Sequence, residues 1–155
     1  MAIRLQKILL PTDFSDYSAA ATKYACELAI RFHAELHLLH ALEIESTSTP
    51  NFVMGLALPS YTHESQVAVE KAMTRVLDSQ WPAERRVVRA IVEGSPKVEI
   101  IQYARQHGID LIVLATHGRT GLPHVLMGSV AEAVVRTAPC PVLTVRSEGH
   151  QFVMP

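Results

Sequence analysis

Leu111-Ile112-Val113-Leu114-Ala115-Thr116-His117-Gly118-Arg119-Thr120-Gly121-Leu122-Pro123-His124-Val125-Leu126-Met127-Gly128-Ser129-Val130 is the stretch whose reading decides the fold. Its first five residues form an unbroken aliphatic run, the pattern of a central parallel strand covered on both faces. A glycine-rich turn follows. Ser129 and Glu132 then stand three apart at the head of a helix carried by Val130, Ala131 and Val134, the spacing of a capping box. Strand, glycine turn and helix in that order form a cradle for an anion. Glycines let backbone amides approach closely, and the N–H groups that open the helix carry partial positive charge. Neither G-x-x-x-x-G-K-[ST] nor G-x-G-x-x-G is present, and without a P-loop lysine fast phosphoryl transfer is not expected.

Working outward, the chain alternates strand and helix. Lys7-Ile8-Leu9-Leu10-Pro11-Thr12 reads as a buried strand ended by Pro11 and the polar Thr12-Asp13. Ser15 and Asp16 then start a helix whose apolar stripe runs through Tyr17, Ala21, Leu28 and Phe32. Glu35 to Ala41 is the second strand, Val69 to Leu77 has helical spacing before Trp81-Pro82 stops it, and Arg86 to Val92 is the third strand. Ser95-Pro96 marks a helix start and Gly108 its end. Pro141 to Val145 supplies the fifth strand. This order predicts an α/β fold in one domain over 1–155: a doubly wound, five-stranded, mainly parallel sheet with helices on both faces. Ligands of such sheets sit beyond the carboxyl ends of the strands where strand order reverses, so the turns after the first and fourth strands are the place for a site.

Composition limits what that site serves. The 155 residues are 48% apolar and 19% charged, enough to build a core without metals or disulfides. A net charge of −1 removes the attraction on which non-specific nucleic-acid binding depends, so no nucleic-acid partner is expected. Cys26 and Cys140 sit in apolar stretches and read as buried thiols of a reducing compartment. No stretch approaches the roughly 18 apolar residues of a membrane span, and the expected location is the cytoplasm. His37 and His40 fall on opposite faces of their strand, so a metal site there is not expected. Between the second strand and second helix, Phe52 to Pro59 is too apolar for a plain solvated loop and reads as a cover for the cleft or a docking surface.

Other roles compete for the same residues. Gly118, Gly121 and Gly128 are also what a turn needs wherever φ is positive. Asp13 serves equally as a turn residue, and Ser129 as a helix cap. His117 lies within reach of a phosphate, but no G-x-S-x-G or paired carboxylate accompanies it, so no catalytic residue is assigned. Arg119 reads as a phosphate neighbour. Val142-Leu143-Thr144-Val145 carries no charge and belongs at a sheet edge, where an unpaired apolar strand invites a second copy and predicts a homodimer.

From Ile8-Leu9-Leu10-Pro11-Thr12-Asp13 to Ala138-Pro139-Cys140-Pro141-Val142-Leu143-Thr144-Val145 the chain resembles the universal stress protein family. Nucleotide-binding members carry G-x2-G-x9-G-[ST]. Here Ala115 replaces the first glycine, while Gly118 and Gly128-Ser129 keep their places. The resemblance implies an ATP-binding, stress-response regulator with slow or no hydrolysis, and the same homodimer. It places Asp13 by the adenosine, the Ala41 backbone at the adenine edge, Pro11 and Thr12 along the wall, and phosphates on the amides around Gly118 and from Gly128 to Val130. The missing lysine calls for Mg²⁺ as countercharge. Two alternatives stand beside this reading: a homodimeric interaction module, with an unidentified protein partner, that takes no nucleotide, and a slow nucleotide hydrolase.

Overall fold

Ile8, Leu9 and Leu10 have no exposed surface, and three such residues in succession need cover on both faces. Their strand, β1 (Lys7–Pro11), accordingly occupies the centre of the sheet. In the computed structural model, which describes residues 4–43, 63–77, 81–117 and 127–146, it is followed by α1 (Asp16–Phe32), β2 (Glu35–Leu42) and α2 (His63–Arg75). Then come β3 (Val87–Glu93), α3 (Pro96–His107), β4 (Leu111–Ala115), α4 (Ser129–Thr137) and β5 (Val142–Val145). The strand order is β3-β2-β1-β4-β5, and every neighbouring pair is parallel. The doubly wound α/β fold read from the sequence is therefore present, with the reversal of strand order between β1 and β4.

Each face has its own core. Ala21, Ala25, Cys26 and Ala29 of α1 and Met73 of α2 pack with Ile8, Leu10, Leu36 and Leu38 on one side. On the other, Ile100 and Tyr103 of α3 and Ala131 and Val134 of α4 pack with Leu9, Leu39, Ile112 and Leu114. The two thiols are divided between these cores and cannot meet. Burial pushes Cys26 up to about 11 and also raises Cys140, with Asp110 adding to the rise and a backbone hydrogen bond from Ile112 opposing it. Both stay protonated at neutral pH, as packing residues do.

Helix ends hold the main departures from expectation. Ser15 does cap α1, accepting the Ser18 N–H at 3.3 Å, and Gly108 ends α3 at φ 61. Ser95 and Pro96 start α3 as read, although the work is done by the Ser95 carbonyl, which accepts from Val98 and Glu99, and not by its hydroxyl. α2 stops at Arg75, and Val76 and Leu77 continue as a turn. The capping box of Ser129 and Glu132 is overturned. Gly128 is the N-cap, so the cap residue brings no side chain, and Ser129 is already helical. Counted from Gly128, the position that should return the second bond is Ala131, which cannot. Glu132 turns outward to Arg136 instead, at 3.0 Å. Among the described residues no helix is long and apolar enough to cross a membrane.

Candidate functional site

The turn leaving β1 is tied by side chains. Thr12 is buried; its N–H reaches the Leu39 carbonyl at 2.9 Å and its hydroxyl accepts the Phe14 N–H at 3.1 Å. Thr12 Oγ1 also meets Ser18 Oγ at 3.2 Å. Asp13 Oδ1 accepts from both the N–H (3.0 Å) and the hydroxyl (2.6 Å) of Ser15. Asp13 thus acts as a turn residue, fixing the serine that caps α1, and its carboxylate stays half-buried at the sheet's carboxyl end. Phe14 sits at φ 63, a left-handed conformation that costs a non-glycine residue about 1–2 kcal/mol and persists only where neighbours enforce it.

β2 runs past the end of β1. The Leu39 carbonyl accepts from Thr12 on the β1 side, and the Leu42 carbonyl accepts from Gly94 on the β3 side. Backbone groups alternate along a strand. Ala41, two residues beyond Leu39, therefore directs its N–H and C=O to the β1 side, above Pro11.

The turn leaving β4 is tied by backbone. Thr116 donates to the Val145 carbonyl at 2.9 Å and its own carbonyl accepts the Gly128 N–H at 2.7 Å, so both ends of the glycine segment meet here. A Cβ on Gly128 would lie 3.2 Å from Thr116 O and 3.7 Å from His117 Cα. Gly128 has φ −69, so close approach and not a positive φ requires glycine there. The N–H groups of Ser129, Val130 and Ala131 precede the first helical bond, which runs from Glu132 to the Gly128 carbonyl at 2.9 Å. Ser129 is exposed, while Val130 packs against the α3 and α4 core. Ala115 packs its methyl against the α1-side core. Because Ile112 and Thr116 both donate toward β5, the Ala115 main chain faces β1.

The structure brings Pro11, Thr12, Asp13, Ala41, Ala115, His117, Gly128, Ser129 and Val130 to the carboxyl end of the sheet around the reversal of strand order. His117 pairs with Tyr17 across the two turns, ring centroids 6.2 Å apart, and its Nδ1 lies 3.1 Å from Thr116 Oγ1. Gly118, Arg119, Gly121 and the segment Phe52 to Pro59 lie outside the described residues. Sequence reading missed Tyr17 as a wall residue and missed the partners of two histidines. His40 donates from Nδ1 to the Thr12 carbonyl at 2.8 Å. His37, on the opposite face as strand alternation requires, accepts from the Tyr103 hydroxyl at 2.9 Å and donates to Glu35 Oε1 at 2.7 Å. A polar residue inside an apolar strand was the available signal for both.

Fold and turns together define a doubly wound α/β protein with its candidate ligand cleft at the topological switch point. The sequence profile of the Universal stress protein family matches residues 4–146, and the chain belongs to that family. It is 35% identical over 144 residues to Universal stress protein MJ0531 of Methanocaldococcus jannaschii, covering 91% of this chain and 82% of that one. Universal stress protein UspA from Lactobacillus plantarum superimposes with a TM-score of 0.73 at 32% identity, covering 94% of this chain and 100% of its own. A universal stress protein solved in complex with cAMP has the same fold, with a TM-score of 0.65 at 21% identity over 94% of this chain and 99% of its own.

Proposed function

We propose that this chain is an adenine-nucleotide-binding regulator of the stress response, taking ATP with Mg²⁺ in the cleft between the two turns and acting through its bound state. The observation that carries the reading is the start of α4. Gly128, the N-cap, has no side chain of its own to occupy the cradle or cap the helix, and three N–H groups follow in its first turn. That is an anion site in need of a ligand of phosphate chemistry. Across β1 from it, at the end of β2, the Ala41 backbone directs one donor and one acceptor to the β1 side, the pair that an adenine edge takes up. The relative solved with cAMP supports an adenine nucleotide as the class of ligand.

The donor set bears on magnesium. Among the described residues no three His, Cys, Asp or Glu side chains come together as a metal cluster. Mg²⁺ would therefore enter with the phosphates and supply countercharge there, with Asp13 the carboxylate that the two turns contribute. Calorimetry of the purified protein with ATP, with and without Mg²⁺, tests the reading. The expected result is a Kd in the micromolar range, about −8 kcal/mol, weakened by EDTA. No binding of ATP, ADP, AMP or cAMP would leave the interaction module, and sustained multiple-turnover ADP release, followed over time, would leave the slow nucleotide hydrolase.

β5 supports the homodimer as part of this proposal, since it is a sheet edge. Val142 and Leu143 pack inward on opposite faces, so the edge offers backbone and not side chains. The Pro141 and Val145 carbonyls face β4, so by alternation Val142 and Thr144 face outward. Thr144→Pro removes an outward N–H and should convert a dimer mass by light scattering to a monomer mass, whereas a monomeric wild type would sink the dimer.

A further inference from the structure

One side chain from β2 grips the β1–α1 turn on both sides of Asp13. His40 is 4% exposed; its Nδ1–H reaches the carbonyl of Thr12, the residue before Asp13, at 2.8 Å. Its ring lies 4.3 Å, centroid to centroid, from that of Phe14, the residue after. Phe14 is the residue held at φ 63, and its amide returns to Thr12 Oγ1. The next residue along β2 is Ala41, whose backbone faces the same cleft. Turn and strand end are thereby joined into one bracket, through a ring that is itself buried.

We propose that His40 is a positioning residue for nucleotide binding, which holds the Asp13 carboxylate and the Ala41 backbone in fixed relation so that they receive the adenosine half together. The inference rests on the nucleotide reading above and adds to it a residue that touches no ligand. The donor at Nδ1 is the chemical requirement. Asparagine places an amide N–H at the same number of bonds from Cα, and leucine keeps apolar bulk without a donor.

The test uses wild type, His40→Asn, His40→Leu and Phe14→Ala, with two readouts. One is calorimetry with ATP and Mg²⁺. The other is amide exchange of Phe14 and Ser15 in the ligand-free protein, set against Leu9 and Leu10 of β1 as a measure of global opening. His40→Leu should weaken ATP about tenfold and speed exchange of Phe14 and Ser15 about tenfold, leaving Leu9 and Leu10 unchanged, while His40→Asn stays within about threefold of wild type in both. Wild-type behaviour of His40→Leu overturns the proposal, as does uniform acceleration that His40→Asn fails to rescue. Should His40→Leu not fold, Phe14→Ala decides: faster exchange of Ser15 with weaker ATP supports the bracket, and no change overturns it. A wild type that binds no ATP, with the exchange pattern as expected, overturns the nucleotide reading and the ligand role of His40 while upholding its grip on the turn.

Discussion

The two turns that flank the reversal of strand order are built by opposite means. After β1, the ties are side chains: Thr12, Asp13, Ser15 and Ser18 hydrogen-bond within a few residues of chain, His40 reaches in from β2, and together they set its shape. After β4, the ties among the described residues that join its two ends are backbone, with Thr116 holding Val145 on one side and Gly128 on the other, and α4 starts on Gly128, an N-cap without a side chain. A turn that uses its polar groups on itself offers a fixed wall, suited to a base and ribose. A turn that leads its amides into a helix start whose N-cap is glycine offers positive potential, suited to phosphates. On the proposed nucleotide reading, the candidate site divides into shape on one side and charge on the other.

The largest effect should come from filling the charge side. In Gly128→Val the Cβ alone meets Thr116 O at 3.2 Å, and that oxygen is backbone already engaged by the Gly128 N–H. It cannot rotate away as a flexible side chain would. ATP affinity should fall by at least about 100-fold, or roughly 2.8 kcal/mol, with a smaller loss of stability. Calorimetry and urea unfolding on the same samples separate the two. Wild-type affinity in Gly128→Val would break the comparison, because the start of α4 would then hold no phosphate.

How much of this was legible follows the same division. Fold class came through because local pattern and tertiary need agree: Leu111–Ala115 is aliphatic throughout and is buried on both faces, and Gly108 and Ser15 sit at helix ends with local geometry to match. The shape side was legible in place but not in mechanism. Asp13 was found, but His40 lies 28 residues from the carbonyl it holds, and no periodicity reports such a pairing. On the charge side the cap was misplaced by one residue. The bond that fixes it, from Gly128 to Thr116 O, spans the glycine segment and leaves Ser129 looking like a cap by composition alone.

A smaller effect, in acid, should leave both turns alone and so sharpen the contrast. His37 faces away from the site, 3% exposed, with Glu35 on its own strand, Tyr103 and His107 on α3, and Lys7 on β1. Burial holds its pKa below the ordinary value, opposed by the hydrogen bond and charge of Glu35 and assisted by Lys7 and His107. The folded state therefore resists a proton that the unfolded chain takes up near pH 6.5. Stability is full above that pH and declines as pH falls from there toward the lowered folded value. Urea midpoints should drop between pH 7 and pH 5.5, and His37→Gln, which keeps a donor toward Glu35, should flatten that drop. An equal drop in the variant would assign the acid sensitivity elsewhere.

The smallest effect on binding is expected where the sequence departs from the family's glycine pattern. Ala115 ends β4, and a methyl there matters only if it stands between ligand and backbone. Its methyl packs with the α1-side core and its main chain faces β1, so the two point different ways. Ala115→Gly should then change ATP affinity by less than about tenfold, a gap of ~1.4 kcal/mol. Stability should fall by about 1 kcal/mol, from the lost buried methyl and the added backbone freedom, lowering Tm by roughly 3 °C. Calorimetry and thermal unfolding give both numbers. A gain in affinity well beyond tenfold would mean that the alanine obstructs the cleft, and the boundary between the shape side and the charge side would then run through Ala115 itself. A fall in stability with affinity unchanged places the residue in the scaffold, where a family glycine can be exchanged for alanine because the close approach is made at Gly128 instead.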